Sequence, residues 1–146
     1  MTILTTHVGS LPRPKIVSDL LFKREKDEEY NQQHFEDVIT KSVEEVVKKQ
    51  LDVGVDIISD GEMSKISYAT YVKDRYNGFA GDSERNPPQD LEKFPNYMKK
   101  IADSGGTPTY SRPCCVSEIS SKKNNDLSND IKNLLNASKK LNHNKI

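Results

Sequence analysis

Two short polar motifs in this sequence carry groups that can do chemistry. Gly9-Ser10 follows a short apolar run and can offer a backbone N–H and a hydroxyl to an anion such as a carboxylate, or can be an ordinary turn. Asp60-Gly61-Glu62 follows a second apolar run. A carboxylate at Glu62 can bind an ammonium group or act as a base; in a purely structural role it is a solvated acid or a helix N-terminal one. Asp60 is either its partner or a turn residue that bonds its own backbone. His7 sits near the end of the first apolar run and reads as a hydrogen-bonded structural histidine before it reads as a metal ligand. Cys114-Cys115 lacks the spacing of a zinc site, and neighbouring strand residues face opposite ways, so the pair reads as ordinary buried thiols.

The elements that must position these groups follow from periodicity. Ile3–Val8 is short and β-branched and ends at Gly9-Ser10-Leu11-Pro12-Arg13-Pro14, which predicts a strand and a loop. Ile16, Val17, Leu20 and Leu21 predict a helix from about Pro14 to Glu25, and Lys26–Gln33 a loop. Phe35, Val38, Ile39, Val43, Val46, Val47 and Leu51 share one face of a long helix stopped by Gly54. Val55–Ile58 is a second short strand, leading into the Asp-Gly-Glu motif. Tyr68, Tyr71, Val72 and Tyr76 have helical spacing, broken at Gly78–Gly81. With Phe79 they make an aromatic group that suits a core or an interface rim better than a ligand pocket.

Residues 82–95 are polar and Pro-rich, an excursion from the core, followed by a short helix on Phe94, Tyr97, Met98 and Ile101 that ends at Gly105-Gly106. Arg112–Ile119 reads as a third buried strand. Ile131, Leu134, Leu135, Ser138 and Leu141 give a last helix from about Leu127, capped by Asp126 or Ser128. Short apolar strands alternating with amphipathic helices predict parallel βα units, with the polar motifs at the strand ends where such folds keep their chemistry. A closed (β/α)8 barrel takes about 250 residues. This chain has 146, enough for about three units, so it reads as one incomplete α/β domain whose open edge invites pairing with another copy or another chain.

Composition narrows the function class. Lys+Arg and Asp+Glu both number 22, which argues against a nucleic-acid binder. No run approaches the roughly 18 apolar residues of a membrane span. The N-terminus lacks the pattern of a signal peptide. Two adjacent cysteines cannot staple distant segments, which suits a reducing cytoplasm.

Several of these segments carry a family likeness. Thr6–Pro14 (THVGSLPRP), Val43–Glu62 (VEEVVKKQLDVGVDIISDGE), Tyr71–Phe79 (YVKDRYNGF) and Arg112–Ser120 resemble, in order, the cobalamin-independent methionine synthase (methionine synthase II-like) family, within the group that also holds uroporphyrinogen decarboxylase. The resemblance implies a partial (β/α)8 TIM barrel, residues 1–146 being its N-terminal portion. It implies methyl transfer from methyl-tetrahydrofolate or a similar donor to homocysteine or another thiol, in methionine biosynthesis. It also implies a zinc ion that lowers the pKa of the acceptor thiol, held by His and Cys of later strands that Cys114 and Cys115 do not match. By the same likeness Gly9 and Ser10 hold the amino-acid end of homocysteine and Glu62 grips its ammonium, as substrate-binding rather than catalytic residues. The chain then holds substrate but is inactive alone. Two other readings are a truncated, non-catalytic remnant or interaction module, and a decarboxylase-like lyase fragment acting on a tetrapyrrole. The last would want several arginines at the strand ends, and only Arg13 stands there.

Overall fold

A computed structural model describes residues 3–83, 89–103 and 112–143. The chain is mixed α/β, in the order α1 (Lys15–Glu25), α2 (Gln32–Asp52), α3 (Tyr68–Arg75), β1 (Tyr76–Ala80), α4 (Pro95–Asp103), β2 (Cys114–Ser121) and α5 (Asp126–Lys140). Pro14 immediately precedes α1, where a missing N–H costs nothing. Asn31 caps α2 by accepting from the His34 N–H at 2.8 Å, so this helix starts inside the stretch expected to be loop. Gly54, at φ 84°, takes the chain out of α2 as its position predicts. Ser67 and Thr70 form a reciprocal capping box at the start of α3. At α5 the capping position is Asn125, with no side-chain cap bond, rather than Asp126 or Ser128.

The core lies between the helices and the segment that carries the Asp-Gly-Glu motif. Val17, Leu20 and Leu21 of α1 meet Phe35, Ile39, Val43, Val46 and Val47 of α2, with Ile58, Met63 and Ala137 completing the cluster. A fully buried side chain of the Val or Leu class contributes about 1.5–3 kcal/mol relative to exposure. The α2 face read from its spacing is therefore the main source of cohesion. Thr40 bonds Asn133 at 3.0 Å and Lys140 pairs with Glu44 at 2.6 Å, fixing α5 along α2. At the other end of α5, Asp130 receives Arg75 at 2.7 Å and the Ser64 hydroxyl at 2.6 Å.

The two expected strands flanking α1 and α2 meet in a single parallel bridge, Thr6 with Ile57. Thr5 reinforces it: its carbonyl accepts from Asp56 and Ile57, and its N–H and hydroxyl both donate to the Asp56 carboxylate at 2.9 Å. The parallel expectation holds at this contact. It fails for the third strand. β2 is neither buried nor parallel: every residue of it is exposed, and it pairs antiparallel with β1 in a two-stranded ribbon. Tyr76 pairs with Ser121 and Ala80 with Cys114, with an irregularity between Asn77 and Phe79. Gly78, at φ 92°, makes this possible, because a Cβ there would lie 2.6 Å from the Glu118 carbonyl oxygen. Cys114 and Cys115 are consequently exposed free thiols rather than buried ones. Tyr76 belongs to β1 instead of the preceding helix and is exposed, whereas Tyr71 lies beneath the Arg75 guanidinium, 3.6 Å from its ring centre. The expected end of the short helix at Gly105-Gly106 lies outside the described residues, as does part of the polar excursion.

Candidate functional site

The fold brings the Gly-Ser and Asp-Gly-Glu motifs into contact across 52 residues of sequence. The Ser10 hydroxyl donates to Glu62 Oε2 at 2.5 Å. Below it the Leu11 N–H donates to the Gly61 carbonyl at 3.0 Å, tying the two loops through their backbones. Gly61 is buried at φ 60°, and a Cβ there would sit 3.1 Å from Leu11 Cβ, so the close approach of the loops depends on its missing side chain. Glu62 also has a left-handed backbone, φ 56°. Its N–H is taken by Asp60 Oδ1 at 3.0 Å, which settles Asp60 as a turn residue bonding its own loop. The other Asp60 oxygen faces Lys65 at 3.4 Å.

Arg13 lies behind this pair. Its Nε and Nη2 donate to the Glu62 carbonyl at 3.2 and 3.0 Å, and Nη2 also reaches Ser10 Oγ at 3.2 Å. Burial lowers the Arg13 pKa, opposed by the nearby Glu62 and Asp60 carboxylates; a guanidinium stays charged under such a shift. The chain of donors runs from guanidinium to hydroxyl to carboxylate, and among the described residues none donates to the second Glu62 oxygen, Oε1. Gly9 is at φ 99° beside Ser10. The pair sits between an open depression of about 650 Å³, whose walls include Ser10, Arg13 and Phe22, and a smaller cavity of about 250 Å³ lined by Glu62, Lys65, Ser67 and Tyr71.

A second residue outside both motifs holds the loop. Gln50, on the buried face of α2, donates to the Ser59 carbonyl at 2.8 Å and accepts from the Ser59 N–H at 3.0 Å, as a neighbouring strand would. Its signal in the sequence is a polar residue within the apolar face, beside Val46, Val47 and Leu51. Arg13 is visible only as an arginine near a strand end; nothing local to Pro12-Arg13-Pro14 names Glu62 as its partner.

His7 is not drawn to the Ser10–Glu62 pair. It lines a separate apolar cleft of about 350 Å³ with Val46, Val53, Val55 and Met63, and its Nε2 is buried with no hydrogen-bond partner among the described residues, unlike the hydrogen-bonded histidine expected. Among the described residues no group of three or more His, Cys, Asp or Glu side chains is placed to hold a metal ion, and both cysteines lie on the exposed ribbon. The residues described here therefore do not form a zinc ligand set. None of the described helices is long and apolar enough to cross a membrane.

A parallel contact thus joins two polar loops of a mixed α/β chain, with a hydroxyl and a carboxylate converging where the loops meet. Comparison with known proteins makes this specific. The profile of the family described as cobalamin-independent synthase, catalytic domain, matches residues 3–86, more than half of the chain, and the chain belongs to that family. It is similar to a methionine synthase of Sulfolobus acidocaldarius, 26% identical over 133 residues, which are 90% of this chain and 37% of the relative. It is also similar to a 5-methyltetrahydropteroyltriglutamate–homocysteine methyltransferase of Candida albicans, 32% identical over 78 residues, 52% of this chain and 10% of the relative. A protein of the same name from Bifidobacterium animalis is 31% identical over 75 residues, 51% of this chain and 10% of the relative. The chain thus spans little more than a third of the longest-matched relative.

Proposed function

We propose that this chain is the N-terminal portion of a (β/α)8 methyltransferase barrel and forms the half of its site that holds the amino-acid end of a thiol substrate. The observation that carries the reading is the 2.5 Å contact between Ser10 and Glu62, two residues 52 apart in the sequence and both within the family match. Glu62 Oε1 takes the substrate ammonium, a charge-assisted bond of the strong kind. Gly9 and Ser10 take its carboxylate through their backbone N–H groups, the single proton of the Ser10 hydroxyl being given to Glu62 Oε2. The acceptor is homocysteine or a similar amino-acid thiol and the donor a methylated folate, as the names of the Candida and Bifidobacterium relatives suggest. Such a protein belongs to methionine biosynthesis, and its free cysteines suit the cytoplasm.

The family likeness implies zinc as the group that lowers the thiol pKa. The chemistry assigned to these residues stops at binding and orienting the substrate, since no ligand set for the ion is found among those described. Exposed Ile3 and Val8 flank the bridge between the two loops' segments, and on this reading further strands of the barrel, or a second copy, cover them. The chain by itself then methylates no thiol; turnover by the purified chain would contradict that part of the proposal. The binding assignment is tested by amide chemical-shift mapping. L-homocysteine should shift Gly9, Ser10 and Glu62 and leave the β1–β2 ribbon unmoved. Shifts confined to other residues would remove the assignment.

A further inference from the structure

We propose that Arg13 is a positioning residue of this site: its guanidinium clamps the Glu62 backbone and the Ser10 hydroxyl, holding the two loops at the separation a substrate ammonium and carboxylate require. The inference rests on the reading of Ser10 and Glu62 as substrate-binding residues.

Glu62 is one of few described non-glycine residues with positive φ. Such a residue persists only where its surroundings over-determine it. Two groups do so here. The Asp60 carboxylate fixes the Glu62 N–H at 3.0 Å, and Arg13 fixes its carbonyl through two donors, at 3.2 and 3.0 Å. A fork of two N–H groups on one carbonyl with a further bond to Ser10 is a geometry that suits a planar guanidinium and that a single ammonium cannot reproduce in full. The backbone tie between Leu11 and Gly61 lies inside the same clamp. Arg13 is thus the one side chain described that bonds both the residue carrying the hydroxyl and the residue carrying the carboxylate. Its contacts to Glu62 are to the main chain, so Arg13 does not occupy the carboxylate, whose Oε2 takes the Ser10 hydroxyl and whose Oε1 is left for the ligand.

A residue acting this way differs in its effects from one that touches the substrate carboxylate. The experiment compares the native chain with Arg13→Ala and Arg13→Lys in two measurements. The first needs no ligand: amide hydrogen exchange at Leu11, against Val46 and Val47 in α2 as the control for folding. The second is the affinity for homocysteine and for its decarboxylated analogue, aminopropanethiol. Arg13→Ala should speed exchange at Leu11 by about tenfold or more while the α2 amides stay protected. It should weaken both thiols by about tenfold, because the grip on the ammonium is lost in each. Arg13→Lys, which keeps the charge and one donor, should recover part of both effects. Unchanged exchange at Leu11 in both variants would overturn the clamp. Loss of homocysteine with aminopropanethiol unaffected would also overturn it, since Arg13 would then be a direct carboxylate ligand. If the native chain binds neither thiol yet Leu11 exchange is still accelerated, the clamp stands and the substrate reading falls.

Discussion

Replacing Gln50 by methionine removes the side chain that stands in for a strand beside Ser59. Gln50 is 4% exposed, and its amide satisfies both the N–H and the carbonyl of Ser59, at 3.0 and 2.8 Å. Methionine fills nearly the same volume, so packing changes little. What is lost is the pair of hydrogen bonds to the Ser59 backbone, together with the longer ones to the Val46 carbonyl and from the Ser59 hydroxyl, at 3.2 and 3.4 Å, leaving two half-buried Ser59 backbone groups unpaired; at roughly 1–3 kcal/mol for each orphaned group, less the gain from burying an apolar chain, the net cost is about 2–4 kcal/mol. The assay is urea unfolding, read as a lower midpoint at unchanged slope. Gln50→Glu provides the sign. Its carboxylate still accepts from the Ser59 N–H but sets a second oxygen against the Ser59 carbonyl, so at neutral pH it should cost more than methionine. Repulsion raises the folded-state pKa of that carboxyl, so the penalty should shrink as pH falls through the raised value. A loss below about 1 kcal/mol for Gln50→Met, or a Gln50→Glu variant insensitive to acid, would refute the strand-mimic reasoning.

Two further perturbations probe the periphery and the α3–α5 junction. Gly78→Ala should unzip the ribbon, since the new Cβ would lie 2.6 Å from the Glu118 carbonyl and 2.8 Å from that of Ser117; faster amide exchange at Phe79 and Cys115 with α2 unaffected is the expected result, and protection equal to the native chain would contradict it. Burial pushes the Asp130 carboxyl above the usual carboxylate value, against the Ser64 hydroxyl and the Lys65 and Arg75 charges. The unfolded chain therefore loses this proton first, and Asp130's contribution to stability falls as pH rises from the ordinary carboxylate value through the raised one. Asp130→Asn should remove that slope from the unfolding midpoint; a slope of the opposite sign attributable to Asp130 would contradict the assignment.

The parts of the fold that were legible in the sequence are those set by local periodicity. α2 announces itself through Phe35, Ile39, Val43 and Val46 and stops at Gly54, and the structure buries that face. The apolar stripe of α5 is legible only in part: Ser138 is buried and Leu134 and Leu141 pack against the core as expected, but Ile131 and Leu135 remain exposed while Ala137, outside the stripe, is buried. Cys114–Ser121 misleads because a β-branched run reads alike in a buried strand and a solvent-washed ribbon. Polar Ser117, Glu118 and Ser120 interrupt it, and its partner Tyr76–Ala80 carries helix-like spacing upstream that hides the strand. At the site, the two motifs stand out as polar ends of apolar runs. Their convergence is a long-range fact carried by Arg13, Gln50 and the Leu11–Gly61 tie, none of which has a local signature of its partner.

The most direct test of the central claim is calorimetric titration of L-homocysteine and its desamino analogue, mercaptobutyrate, into the native chain and into Ser10→Ala and Glu62→Gln. The account predicts that the native chain prefers homocysteine, that Glu62→Gln weakens it by about tenfold or more while leaving mercaptobutyrate nearly unchanged, and that Ser10→Ala weakens both. Equal affinity of native and Glu62→Gln chains for homocysteine would contradict it.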